Sequence, residues 1–342
     1  MPGRLATFVV LIAIVAGCSA APVAERGVPP PPSPSIAVAR PPTTSPTPTP
    51  TASPTPIPLP SEARLTAPSG SVVWAVVGGT RLFRSTDRGD TWQERSLPPQ
   101  PGNAIPAFVD DHQGWLVIPG SPATQCQMQS VAIWHTLDAG ATWQRLSPTG
   151  IADGQCKSGP VFTDPNHGEL SAYSPNDRPV VYGTADGGRS WAASRPLVDP
   201  PGFTSGGGGF ELTVGAMRAF GATLLAAVAG NGSGQIGWFA YRSSDGGATW
   251  TYVGTAPDRT SPIVFVTATR WLQIDPSGGS KETTDAGASW HGFTSDYGQA
   301  APIGPVITFG DAQVGYATVR GAIQRTTDGG AHWSAVRTPG TF

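Results

Sequence analysis

One eight-residue pattern, Ser/Thr-x-Asp-x-Gly-x-x-Trp, recurs six times in this chain of 342 residues. The copies are "STDRGDTW" (85–92), "TLDAGATW" (136–143), "TADGGRSW" (184–191), "SSDGGATW" (243–250), "TTDAGASW" (283–290) and "TTDGGAHW" (326–333). Their acids are Asp87, Asp138, Asp186, Asp245, Asp285 and Asp328, and their indoles Trp92, Trp143, Trp191, Trp250, Trp290 and Trp333. Successive acids lie 40 to 59 residues apart, the period of propeller blades and similar arrays. A chain built this way must stack like units, each of which cannot bury its apolar face alone.

Short apolar runs flank each box, such as "AIWH" before and "TWTYVG" after, so each box is expected to close a hairpin. The residue types suit that task. Asp accepts backbone N–H groups two residues on in an Asx-type turn. Gly supplies a positive φ without steric cost. The Ser or Thr hydroxyl bonds across the turn, and Trp buries a large ring between layers. None of these roles needs a substrate, so the boxes are expected to be structural.

A second repeat lies upstream of three boxes: "FVDDHQGW" (108–115), "FTDPNHGE" (162–169) and "FGDAQVGY" (309–316), with "FVTATRW" (265–271) a worn copy. Each reads as an inner strand, a turn and the start of the next strand. Four strands per unit place blades near 62–98, 103–148, 158–198, 208–256, 260–294 and 303–338. The expected fold is all-β, a β-propeller of six four-stranded blades, with a seventh that has lost its box left open.

The boxes resemble the Asp-box, or bacterial neuraminidase, repeat of sialidases, sortilin-type receptors and several glycosidases. The Phe-x-Asp…Gly segment followed by Thr-x-Asp-Gly-Gly-x-x-Trp is more similar to the photosystem II stability and assembly factor propellers. The resemblance covers the whole globular part. It implies a fold and leaves activity open, because one fold carries many functions.

Residues 1–17 read as a signal peptide: Arg4 precedes an apolar run too short to span a bilayer. The run ends in "VAGC", which resembles the lipobox of bacterial lipoproteins and marks Cys18 as the lipidated residue. Residues 18–61 form a disordered linker rich in Pro, Thr and Ser, unable to bury enough apolar surface to offset its ordering entropy. In polyproline II it rises about 3.1 Å per residue, enough to hold a domain on the order of 100 Å from a membrane. Residues 62–342 are the propeller. The expected location is the outer side of the bacterial cytoplasmic membrane, with the lipid as the membrane contact.

Net charge is −2, and the two lysines are Lys157 and Lys281, so no basic stripe suggests nucleic acid. No metal spacing links the five histidines, and no cofactor is expected. The resemblance to sialidases implies an Arg-Ile-Pro segment, three arginines, a Tyr and a Glu. That segment is missing, and the chain holds six Glu, of which Glu169 alone adjoins an inner-strand turn. Asp110 with Asp111 is the nearest acid pair, but neighbours on a strand point to opposite faces.

The long segments 119–129, 147–159, 197–209 and 293–304 are expected on the face away from the boxes, where binding tends to sit. Once Cys18 is assigned, Cys126 and Cys156 remain, and in an exported domain they are expected to form a disulfide joining two of these loops. Gln125, Gln127, Asp153 and Lys157 around it are the candidate binding face. The expected function is a non-catalytic, surface-tethered scaffold, acting as a monomer, that binds a protein or glycan. The alternative is an exo-sialidase or other propeller glycoside hydrolase.

Overall fold

The structure is a computed structural model that describes residues 55–58, 61–99, 102–175, 177–204, 210–232, 235–298 and 305–341. The signal segment, Cys18 and the linker up to residue 54 lie outside the described residues. Among those described, the strands form six four-stranded antiparallel sheets, each pairing consecutive strands. The sheets span 63–95, 105–145, 156–193, 210–255, 264–292 and 306–336. Six blades therefore answer the question of a seventh.

The core lies between blades rather than within any one sheet. Trp74, Val76 and Leu82 of blade one pack with Phe108 and Leu116 of blade two. Corresponding clusters join each blade to the next. The ring closes where Val73 meets Val314, Tyr316 and Ile323 of blade six. Ile57 adds a parallel bridge to Thr341, its N–H donating to Gly340 O at 2.8 Å. The paired backbone thus reaches upstream of residue 62.

The Phe-x-Asp…Gly repeat is the turn between first and second strands. Asp110 Oδ1 accepts N–H groups from His112 and Gln113, and Asp164 and Asp311 do the same for their own turns. The Phe ring then lies on the glycine that opens the next strand. A Cβ at Gly114 would sit 2.2 Å from Phe108, and one at Gly315 would sit 2.7 Å from Phe309. Each ring also meets its blade's box Trp edge-on: Phe108 with Trp143, Phe162 with Trp191, Phe309 with Trp333.

All six boxes share one hydrogen-bond pattern. The first-position hydroxyl donates to Asp Oδ1 at 2.7–2.9 Å. The same hydroxyl accepts the Gly N–H at 2.7–3.0 Å. Asp Oδ1 also accepts the seventh-position N–H at 2.8–3.0 Å. The Asp therefore accepts from four residues on. The N–H two residues on, where an Asx turn was expected, is already taken by the hydroxyl.

Two consecutive left-handed residues shape this turn. The Gly has φ between 75° and 103°, and the residue before it is also left-handed, including Arg88 (67°), Ala139 (58°) and Ala286 (58°). That extra turn sends the fourth-position N–H into the neighbouring first-to-second turn, as from Ala139 to His112 O at 2.8 Å. Boxes and Phe-x-Asp turns thereby lock to each other on one face of the ring.

Candidate binding face

Up-and-down strands put the second-to-third loops and the inter-blade links on the face opposite the boxes. Cys126 sits in the second-to-third loop of blade two. Cys156 opens the first strand of blade three (Cys156–Phe162), two residues earlier than expected for that blade. The two form a disulfide with Cα atoms 5.0 Å apart. Gln125 and Cys126 both hold positive φ, 54° and 57°, a left-handed pair in a region that penalises side chains.

A residue missed in the sequence, Gln129, ties this loop to blade three. Its N–H donates to Asp153 O at 2.8 Å and its Nε2 to Gly120 O at 2.7 Å. Its Oε1 accepts from Lys157 N at 2.6 Å, and its backbone O accepts from Lys157 Nζ at 2.7 Å. Lys157 is buried, and burial lowers its pKa, with Asp153 acting in the opposite direction. Gln125, Gln127 and Asp153 are exposed around the disulfide. Nothing but side-chain polarity distinguished Gln129 from its neighbours in the sequence.

Beside this loop, a cleft of about 970 Å³ occupies the mouth of the central channel. Its wall includes Lys157 and Gln129, but not Gln125, Gln127 or Asp153. First-strand residues Leu65, Ile105 and Val306 supply apolar surface, and Arg64 and Arg320 supply charge. Arg64 donates to Glu62 Oε1 at 2.6 Å and to Asn103 O at 2.8 Å. Arg320 (φ 48°) and Gly321 (φ 80°) make a two-residue hairpin with both residues left-handed, a form that normally favours Asn-Gly.

Blade four raises the relief of this face. Its box-end pair is Leu224↔Ser243 and its far pair Gly232↔Gln235, whereas blade one runs only from Val73↔Ser85 to Val77↔Arg81. The extra four pairs carry the hairpin roughly 13 Å further, at about 3.3 Å per residue. Its tip bears Ile236, 52% exposed.

A second cleft of about 580 Å³ along the first strands reaches the box end at Phe108, Asp164, Arg218 and Phe309, but the box acids themselves are engaged within their turns. Five of the six box acids are held at a pKa of about 2 by the seventh-position hydroxyl, together with that residue's backbone N–H. At Asp328 burial works against the shift, and the backbone and ring of His332 overcome it to the same value. Asp110 is spent on its turn, and Asp111 pairs with Arg84 at 3.0 Å. Among the described residues no three His, Cys, Asp or Glu side chains are grouped to hold a metal ion.

No family model matches the chain. It is 27% identical over 183 residues to a xyloglucanase from a Paenibacillus species, covering 52% of this chain and 13% of that enzyme. It is 32% identical over 123 residues to the photosystem II assembly lipoprotein Ycf48 of Synechococcus sp. strain CC9902, covering 35% of this chain and 32% of that protein. The matches thus span under two thirds of either relative's length. Among solved structures, an α-L-arabinofuranosidase from Fusarium graminearum superposes with a TM-score of 0.52 at 12% identity, covering 81% of this chain and 92% of that one. The chain is a six-bladed β-propeller resembling the photosystem II assembly factors. For this propeller, the arabinofuranosidase likeness carries the fold alone.

Proposed function

We propose that the propeller is a surface-tethered, non-catalytic scaffold whose face opposite the boxes docks a protein partner. One observation carries this reading. Of the five exposed large hydrophobic side chains among the described residues, Met128, Val198, Ile236 and Val306 lie on that face, and only Leu137 lies with the boxes. Val306 is 72% exposed at the cleft itself. Exposed apolar side chains on the same face as a concave, polar-rimmed cleft suit a protein surface better than a glycan. The resemblance to an assembly lipoprotein supports the same role.

The hydrolase alternative draws on the xyloglucanase match, but the cleft favours it less. Glu62 is the one carboxylate in its wall and is tied to Arg64, whereas glycoside hydrolysis generally uses two carboxyl groups. The test is capture of partners by the exported protein. The double variant Val306→Asp, Ile236→Asp should lose at least about tenfold in affinity, given about 1.4 kcal/mol per decade, with its melting temperature unchanged. Leu137→Asp, on the box face, should bind normally. Capture that survives the double variant would remove this face from the account, and binding to a glycan array alone would favour the sugar-binding reading.

The tether belongs to the same proposal. Lipidation at Cys18 would place the propeller on the outer side of the membrane at the end of the Pro-rich linker. Cys18→Ser should then release the protein from the membrane fraction. Membrane association unaltered by that change would reject the anchor.

A further inference from the structure

The six second strands share a buried position, one residue beyond the pairing with each box's first residue. The register assigns it to Trp74, Trp115, Glu169, Leu225, Leu272 and Tyr316. All six are at most 3% exposed. Each faces the next blade, where the first strand usually offers a Phe. Trp74 stacks on Phe108 at 3.8 Å and Trp115 on Phe162 at 3.7 Å. Leu225 packs in one cluster with Phe265, and Leu272 with Phe309.

The seam between blades three and four departs from this pattern on both sides. Glu169 stands where the other five positions hold an aromatic ring or a leucine, and Ala219, paired with Leu224, holds the Phe position. Glu169 lies instead against the blade-four box: a methyl at Gly247 would sit 3.6 Å from its Cγ and 3.7 Å from Leu224. Its Oε2 is buried with no hydrogen-bond partner among the described residues. At the preceding seam Trp115 Nε1 donates to Gly187 O of the next box at 2.9 Å. A neutral carboxyl can donate a hydrogen bond, as an indole does. A carboxylate cannot, and leaving it buried without a partner is costly.

We propose that Glu169 makes the blade three–four seam a proton-dependent joint, closed while its carboxyl is neutral and loosened when it ionises. The charge facing Glu169 from its own blade is Asp164, itself bonded to His167. Blade four presents Gly247 and Leu224, which do not titrate. Burial, reinforced by Asp164, pushes the Glu169 carboxyl up to about 8 from its usual 4.5. The folded chain therefore keeps a proton that the unfolded chain has released. Stability contributed by that proton falls as pH rises from about 4.5 through about 8. Blade three also carries Cys156 and Lys157, so the joint lies behind the candidate binding face.

The test compares melting temperatures of the wild type and Glu169→Gln between pH 6 and pH 9. The wild type should lose at least about 5 °C more than the variant over this range. His332, whose proton Asp328 helps to hold, and His135 titrate in both proteins and cancel in the comparison. Amide exchange, corrected for its intrinsic pH dependence, should rise at pH 9 in segments 168–173 and 243–250 of the wild type alone. Equal pH slopes, or loosening spread evenly over all blades, would overturn the joint. If Glu169→Gln does not fold, Asp164→Asn keeps Glu169 and the turn acceptor but removes the repulsive charge. The fall should then end at lower pH and be smaller in total, and an unmoved fall would equally reject the proposal.

Discussion

Trp115→Ala is expected to destabilise the propeller by about 3–5 kcal/mol, the range for deleting a large buried aromatic side chain. Trp115 is fully buried, with its ring parallel to Phe162 at 3.7 Å and to His135 at 4.7 Å. Its Nε1 also reaches Gly187 O, so one side chain joins the second strand of blade two to the box of blade three. Trp115→Phe retains most of the stack but leaves that buried carbonyl without its donor, and should cost about 1–3 kcal/mol. Trp143→Ala removes a box indole that is only half-buried and bonds Ser96 O near the surface. Denaturant melts should rank Trp115→Ala well above Trp143→Ala. The reverse order would mean that the boxes, rather than the inter-blade stacks, hold the ring together.

That ranking exposes what could be learned from residue strings alone. The boxes and the Phe-x-Asp…Gly turns were legible because each is local: its acid, glycine and hydroxyl answer one another within eight residues. Blade number followed from repetition. The stacks were not legible, since Trp115 and Phe162 meet only after two blades pack, and Glu169 looks like an ordinary acid beside a turn until its seam closes. Left-handed Arg88, Ala139 and Ala286 were hidden for a related reason. Their conformation is imposed by an N–H that must reach the adjacent turn, against their own preference.

The candidate site was legible at one edge. Cysteine arithmetic and export pointed to the Cys126–Cys156 loop, and Lys157 beside it does line the cleft. The cleft's other walls come from the starts of first strands in blades one, two and six, far apart in sequence. The height of blade four's hairpin depends on pairing that continues past the usual end, which alternating residues do not announce. The cleft arises from closure of the ring, and the tall hairpin from pairing within blade four.

Replacing Cys126 and Cys156 together by Ser is expected to cost about 3–4 kcal/mol, the chain-entropy value for closing a loop of this size. The cysteines are 30 residues apart and bridge two blades. Loss should be local before it is global, because Gln129 still binds the loop to Asp153 and Lys157 after the bond is gone. Without the crosslink, the left-handed Gln125 and position 126 can relax, and the segment around Met128 should become a protease site. Adding Gln129→Ala to the double Ser variant should then loosen the loop further, since it removes the side-chain oxygen that accepts from the buried Lys157 N–H and the amide that donates to Gly120 O, while the backbone ties of residue 129 remain. If the face docks a partner, its affinity should fall in the same order, because an ordered loop spares the entropy of ordering it on binding. Reduction that changes neither the melting temperature nor the cleavage pattern would show that blade packing alone orders this face, and that the disulfide is passive.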